Sequence, residues 1–100
     1  MNNHYRNRDL LDLAYQIPCT LRLPGCDGGV GEPAHANSHI YGKGGSIKAH
    51  DCFFASACRS CHRDLDQGRT MDREEKLELW RRAHAETMLE LWRRGLIRVA

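Results

Sequence analysis

The sequence predicts a small α+β domain, and three observations predict it. Four of the five cysteines fall in two close pairs, Cys19 with Cys26 and Cys58 with Cys61. Short apolar stretches of strand-like composition alternate with glycine-rich loops through the middle of the chain. The last third is one run of helical periodicity without proline. One hundred residues allow one domain, 1–100, with a core over about 18–68 and a C-terminal helix over about 71–94.

The first element is a short helix over 9–16, with Asp9 as N-cap. Pro18 stops it, because proline lacks an N–H and disfavours helix in the residue before it. Residues 19–23 alternate like a strand, and Pro24-Gly25 makes the turn that presents Cys26. A loop with Gly28, Gly29 and Gly31 follows. Residues 33–41 read as a strand with irregular ends, 42–46 as a flexible loop, and 52–57 as a second apolar strand. From Arg59 to about Asp66 the chain is helical, and Gly68 ends the helix. Thr70 or Asp72 caps the long helix, with Glu74 and Glu75 in its first turn, where negative charge is favoured. Leu77, Trp80, His84, Thr87, Met88 and Leu91 make its apolar stripe. Gly95 stops it, and residues 96–99 are expected to add a final strand.

Two thiol pairs on turns are four soft ligands, the set that closes a tetrahedral structural zinc site. A small domain gains from such a staple, since it buries only part of its surface. The N-terminal Met-Asn-Asn-His-Tyr-Arg-Asn-Arg has no apolar core like that of a secretory leader. The chain is therefore read as cytoplasmic, where thiols stay reduced and metal binding is favoured over disulfides. Cys52, beside Phe53 and Phe54, is the spare thiol and is expected to be buried among apolar groups. Cys58-x-x-Cys61-His62 is also a c-type haem attachment pattern, but that chemistry needs export and leaves Cys19 and Cys26 unexplained. A thioredoxin-like role would need a βαβ unit around the Cys-x-x-Cys, and none is present.

Composition narrows the partners. Hydrophobic residues are 41% and mean hydropathy is −0.63, so the chain is globular. No apolar run approaches the roughly 18 residues of a membrane span. The net charge of +2 is a mild basic bias that suits nucleic acid. Lys43 and Lys48 flank the histidine-rich middle and are candidates to grip a phosphate backbone. The arginines of the long helix are read as a solvated face.

Strand, loop, strand, helix, with a histidine on the first strand and another at the helix start, is the order of a ββα-metal finger. Ala34-His35-Ala36-Asn37, the Gly-Lys-Gly-Gly loop, Lys48-Ala49-His50-Asp51 and Cys58-x-x-Cys61-His62 resemble the HNH endonucleases of the His-Me finger class. Within that class they are most similar to the YbcO-like family of small phage and prophage nucleases. The resemblance runs from about Pro18 to the end.

It implies a metal-dependent endonuclease that hydrolyses DNA phosphodiesters, double-stranded or branched, in phage recombination or processing. His35 would be the general base, a role a histidine fills near neutral pH. Asp51 occupies about the place of the family's loop asparagine, which orients the base. His62 would ligate the catalytic metal. Asp66, four residues on and so on the same helical face, would share it, and an oxygen ligand suits Mg2+ or Mn2+. His39, in Ser38-His39-Ile40, remains an alternative base. The competing reading is a non-catalytic zinc module that binds nucleic acid or a phage protein. It needs only the four cysteines and the basic bias. The oligomeric state is left open, a dimer included.

Overall fold

The shortest route through the fold starts at Ser56, in the middle of a strand buried along its whole length. The computed structural model describes residues 3–99. Helix α1 (Arg8–Asp12) continues into a 3-10 turn, Leu13–Gln16. Strand β1 (Glu32–His35) and strand β2 (Phe54–Ala57) form an antiparallel pair, followed by α2 (Arg59–Gln67) and α3 (Arg73–Arg93). The register sets Glu32 opposite Ala57, Pro33 opposite Ser56, Ala34 opposite Ala55 and His35 opposite Phe54. Pro33 can sit here because a two-stranded sheet has only edges, so its missing N–H interrupts no inner ladder.

Every residue of β2 is buried. Alanines make this possible: Ala34, Ala36, Ala49, Ala55 and Ala57 are almost fully covered, and their short side chains let helix and loop backbones come close. Around Ser56 the polar groups are satisfied. The Ser56 N–H donates to Thr87 Oγ1 (3.0 Å), and the Ser56 hydroxyl lies 2.7 Å from the Ile17 carbonyl and 2.9 Å from that of Ala14. Buried polar groups left unpaired would cost about 1–3 kcal/mol each. Gly31 packs against the same hydroxyl so closely that any Cβ would overlap it.

α3 crosses this sheet, with Trp80, Ala83, Thr87 and Leu91 buried against it. The Trp80 indole donates to the Ala34 carbonyl (2.9 Å), which ties the helix to the strand that carries His35. Leu11, Ala14, Ile17, Phe54 and Leu91 form a second apolar cluster near the helix's far end. The radius of gyration, 13.1 Å, is that of a packed chain of this length, about 13 Å.

Several expected boundaries move. The first helix is capped by Asn7, whose side chain accepts the Leu10 N–H, and not by Asp9. Residues 19–23 are not a strand. Cys19, Leu21 and Leu23 are buried, but so is Thr20, Arg22 turns the chain with φ of 52°, and the nearby pairing is an isolated Pro18–Val30 bridge. The first strand of the pair stops at His35. Ser38 then caps a 3-10 turn, His39–Tyr41, and Gly42 closes it at φ of 94°. The second strand starts at Phe54, two residues later than expected. Asp72 caps the long helix in a full capping box with Glu75. Residues 96–99 pair with no strand among the described residues.

Candidate functional site

α2 carries two donor sets, and its first turn separates them. Cys58 is its N-cap, and Cys58 Sγ accepts the Cys61 N–H at 3.4 Å. The turn at Pro24-Gly25, closed by Cys26 N–H to Leu23 O (2.9 Å), brings Cys26 Sγ to 3.8 Å from Cys58 Sγ. The sulfurs of Cys19, Cys26, Cys58 and Cys61 all lie within 4.8 Å of one another. Tetrahedral thiolates at about 2.3 Å from zinc stand about 3.8 Å apart, so the donor set fits a metal ion such as zinc.

The surroundings treat the thiols differently. Burial pushes the Cys19 thiol up, but backbone N–H groups near it, that of Arg22 foremost, outweigh burial and lower its pKa to about 7. Gly28 N–H points at Cys26 Sγ (3.3 Å) and lowers its pKa, but burial and the neighbouring thiols of Cys19 and Cys58 outweigh it and leave Cys26 raised. Cys61 is pushed up, chiefly by burial, so an ion is needed to strip its proton. Cys52 stands outside the cluster. It is half-buried rather than enclosed, and burial raises its pKa.

One residue beyond Cys61 the chemistry changes. Successive helical residues diverge by roughly 100°. His62 therefore leaves the sulfur cluster and lies between two carboxylates: Nδ1 is 2.9 Å from Glu32 Oε1, and Nε2 is 3.3 Å from Asp66 Oδ2. The Asp66 hydrogen bond raises its pKa, burial opposes this, and Glu32 adds to Asp66. The net effect holds the imidazole above its ordinary value.

His62 and Asp66 line a cleft of about 480 Å³ together with His35, Lys43, Lys48, Asn37 and Ser46. The cleft thus brings together four of the sequence-predicted residues around His35. Asp51 does not line it. It is buried behind His35, with Oδ1 2.8 Å from His35 Nε2. His39 is exposed on the 3-10 turn and is not among the residues lining the cleft.

Asp51 is itself gripped by the start of the chain. Asn7 N–H donates to its Oδ2 (2.7 Å), the Asp51 N–H donates to Tyr5 O (3.0 Å), and Arg6 Nη1 is 3.4 Å from its Oδ1. The Arg6 guanidinium also donates to the carbonyls of Ala49 (2.7 Å) and Lys48 (2.9 Å). Burial pushes the Asp51 carboxyl up, but the hydrogen bonds from His35 and Asn7 and the Arg6 charge hold it below the usual carboxylate range. His50, read as a loop residue, is half-buried, accepts the Tyr5 N–H at Nδ1 (3.0 Å) and stacks on His4 at 4.9 Å. His84 stacks on Trp80 and bonds the Phe54 carbonyl, the place of a core-edge histidine.

Glu32 and the Arg6–Asn7 clamp escape sequence reasoning. Glu32 meets His62 because the strand register sets it beside Ala57, two residues before α2 begins at Arg59. Nothing local to Glu32 distinguishes it from Asp27.

The geometry defines a class first: a small α+β protein with a four-thiol cluster beside a histidine-lined cleft. No known family profile matches the chain, and no curated protein does. The fold is shared with a solved structure described as "a putative bacteriophage protein from Escherichia coli str. K-12 substr. MG1655". The TM-score is 0.62 at 24% identity, over 84% of this chain and 96% of that one. None of its helices, among the described residues, is long and apolar enough to cross a membrane.

Proposed function

We propose that the protein is a metal-dependent DNA endonuclease of the HNH, His-Me finger class, working on phage or prophage DNA in the cytoplasm as a single domain. The observation that carries this reading is the convergence of His35, His62, Asp66, Lys43 and Lys48 on one cleft, with Asp51 behind His35. The β1–β2–α2 order is that of a ββα-metal finger, and the shared fold with a structure described as a phage protein supports the setting.

His62 Nε2 and Asp66 are the groups that would hold Mg2+ or Mn2+. They fit, because such ions take one or two protein ligands and leave the remaining positions to water and phosphate oxygens. When bound, the ion supplies charge stabilisation at the phosphate and the leaving oxygen. The other tasks belong to this chain. The Asp51 carboxylate accepts a hydrogen bond from His35 Nε2–H, so Nδ1 keeps its lone pair and takes the proton of the attacking water. The carboxylate also favours the imidazolium that forms. Glu32 occupies His62 Nδ1, which turns Nε2 toward Asp66 and fixes the ring. Lys43 and Lys48 hold the phosphate backbone as point charges. The four-thiol cluster, filled by zinc, holds the start of α2 and thereby His62.

The test is nicking of supercoiled plasmid in Mg2+ or Mn2+. Wild-type protein converts it to open circle, and His35→Ala does not. Unchanged cutting by His35→Ala removes this histidine from the chemistry. A protein that carries zinc, binds DNA and cuts no form of it is the non-catalytic zinc module instead.

A further inference from the structure

A second recess shares His35 with the cleft. Its volume is about 180 Å³, and Leu65, Leu77 and Trp80 make its apolar walls. Arg73 and Lys76 stand on its rim, the latter held by a hydrogen bond to the Gly68 carbonyl (2.6 Å). His35 and Asn37 line both this recess and the larger cleft. A small recess with apolar walls and two cations beside it, sharing two lining residues with a basic cleft, complements one nucleotide: a ring for the apolar walls and a phosphate for the cations. Its volume suits one heteroaromatic ring system and excludes a base pair.

We infer that this recess is a subsite for a single unpaired nucleobase next to the scissile phosphate, with Arg73 and Lys76 on the neighbouring phosphate. The inference rests on the phosphodiester reading of the cleft and names its substrate class. A base in a regular duplex must leave the stack to enter, which costs a few kcal/mol, whereas a bulged or single-stranded base has little stacking to lose. The preferred DNA is therefore bulged, branched or single-stranded at the cut.

Binding tests this without cleavage. Three short DNAs carry one 2-aminopurine, fully paired, in a single-nucleotide bulge, or in a single strand, and are titrated in buffer without added Mg2+ or Mn2+. The bulged probe is expected to bind roughly tenfold more tightly than the paired one, with a change in the fluorescence of its 2-aminopurine on binding. Leu77→Trp fills the slot and brings the bulged probe down to the paired affinity. Arg73→Glu, at an exposed position that folding does not need, lowers bulged binding more than paired binding. Equal affinity for all three probes, no binding of any, or a preference that survives both variants overturns the subsite. Plasmid cutting is scored separately. Cutting of paired DNA with no bulge preference removes the subsite and leaves the nuclease, and a bulge preference without cutting does the reverse.

Discussion

Cys61 and His62 are neighbours in sequence and opposites in setting. Cys61 is wholly buried with three other sulfurs, whereas the His62 side chain is 25% exposed at the edge of a cleft. The sulfur cluster is closed, soft in its donors and lined by backbone N–H groups. The cleft is open, offers nitrogen and oxygen, and has lysines at its border. Closed sets of four ligands hold structure, and open sets leave room for water or substrate. The difference teaches that one helical turn can serve both purposes, because a 100° step, roughly, separates adjacent side chains. It also means that His62 and Asp66, on the same helix, inherit their placement from the cluster.

That dependence can be broken at the cluster first. Cys58→Ser or a strong chelator is expected to remove bound zinc and abolish cooperative unfolding at 37 °C. Structural zinc sites carry on the order of 10 kcal/mol of apparent binding energy in small folds. Circular dichroism melts with metal analysis check it. Full helicity with no metal would separate the two regions. Next in size, His35→Ala should lower nicking by about 10²- to 10⁴-fold with the Tm unchanged, since general-base catalysis has that range. A fall in Tm of the same variant would assign His35 to the scaffold.

Glu32→Gln leaves the cluster intact and removes the carboxylate from His62 Nδ1. A loss of roughly 10- to 100-fold in metal affinity or activity is expected, with zinc content unchanged. Calorimetric titration with Mn2+ reads it. The pH dependence isolates the clamp. The folded Asp51 pKa lies below its unfolded value of about 3.9, so its stabilising contribution is present above that value and is lost as pH falls through the folded pKa. Acid melts of wild type and Asp51→Asn should thus differ least at the acid extreme and most near neutrality. Constant separation at every pH would contradict the assignment. The smallest effect is Lys48→Ala, which should reduce the salt slope of DNA binding by about 1 with cutting chemistry unaltered.

Much of the site was legible because its pieces are local. The Cys-x-x-Cys turn, His62 with Asp66 one helical turn on, and the Asp72 cap each depend on a few adjacent residues. The pieces that were not legible depend on register and on distant backbone. Residues 19–23 alternate like a strand but meet no ladder, since Arg22 turns the chain where no glycine announces it. Residues 36–41 looked like strand until Ser38 took the Ile40 N–H and started a turn. Glu32 acquires its meaning only when β1 and β2 align.

The clamp on Asp51 joins residues 5–7 to residues 48–51, across more than 40 positions of chain. The orientation of the imidazole at position 35 therefore depends on a segment far from it in sequence. Cleaving the backbone in the exposed loop between Gly44 and Ser46 would turn this clamp into a joint between two fragments, which the paired strands, the shared core and the four-cysteine cluster would still hold together.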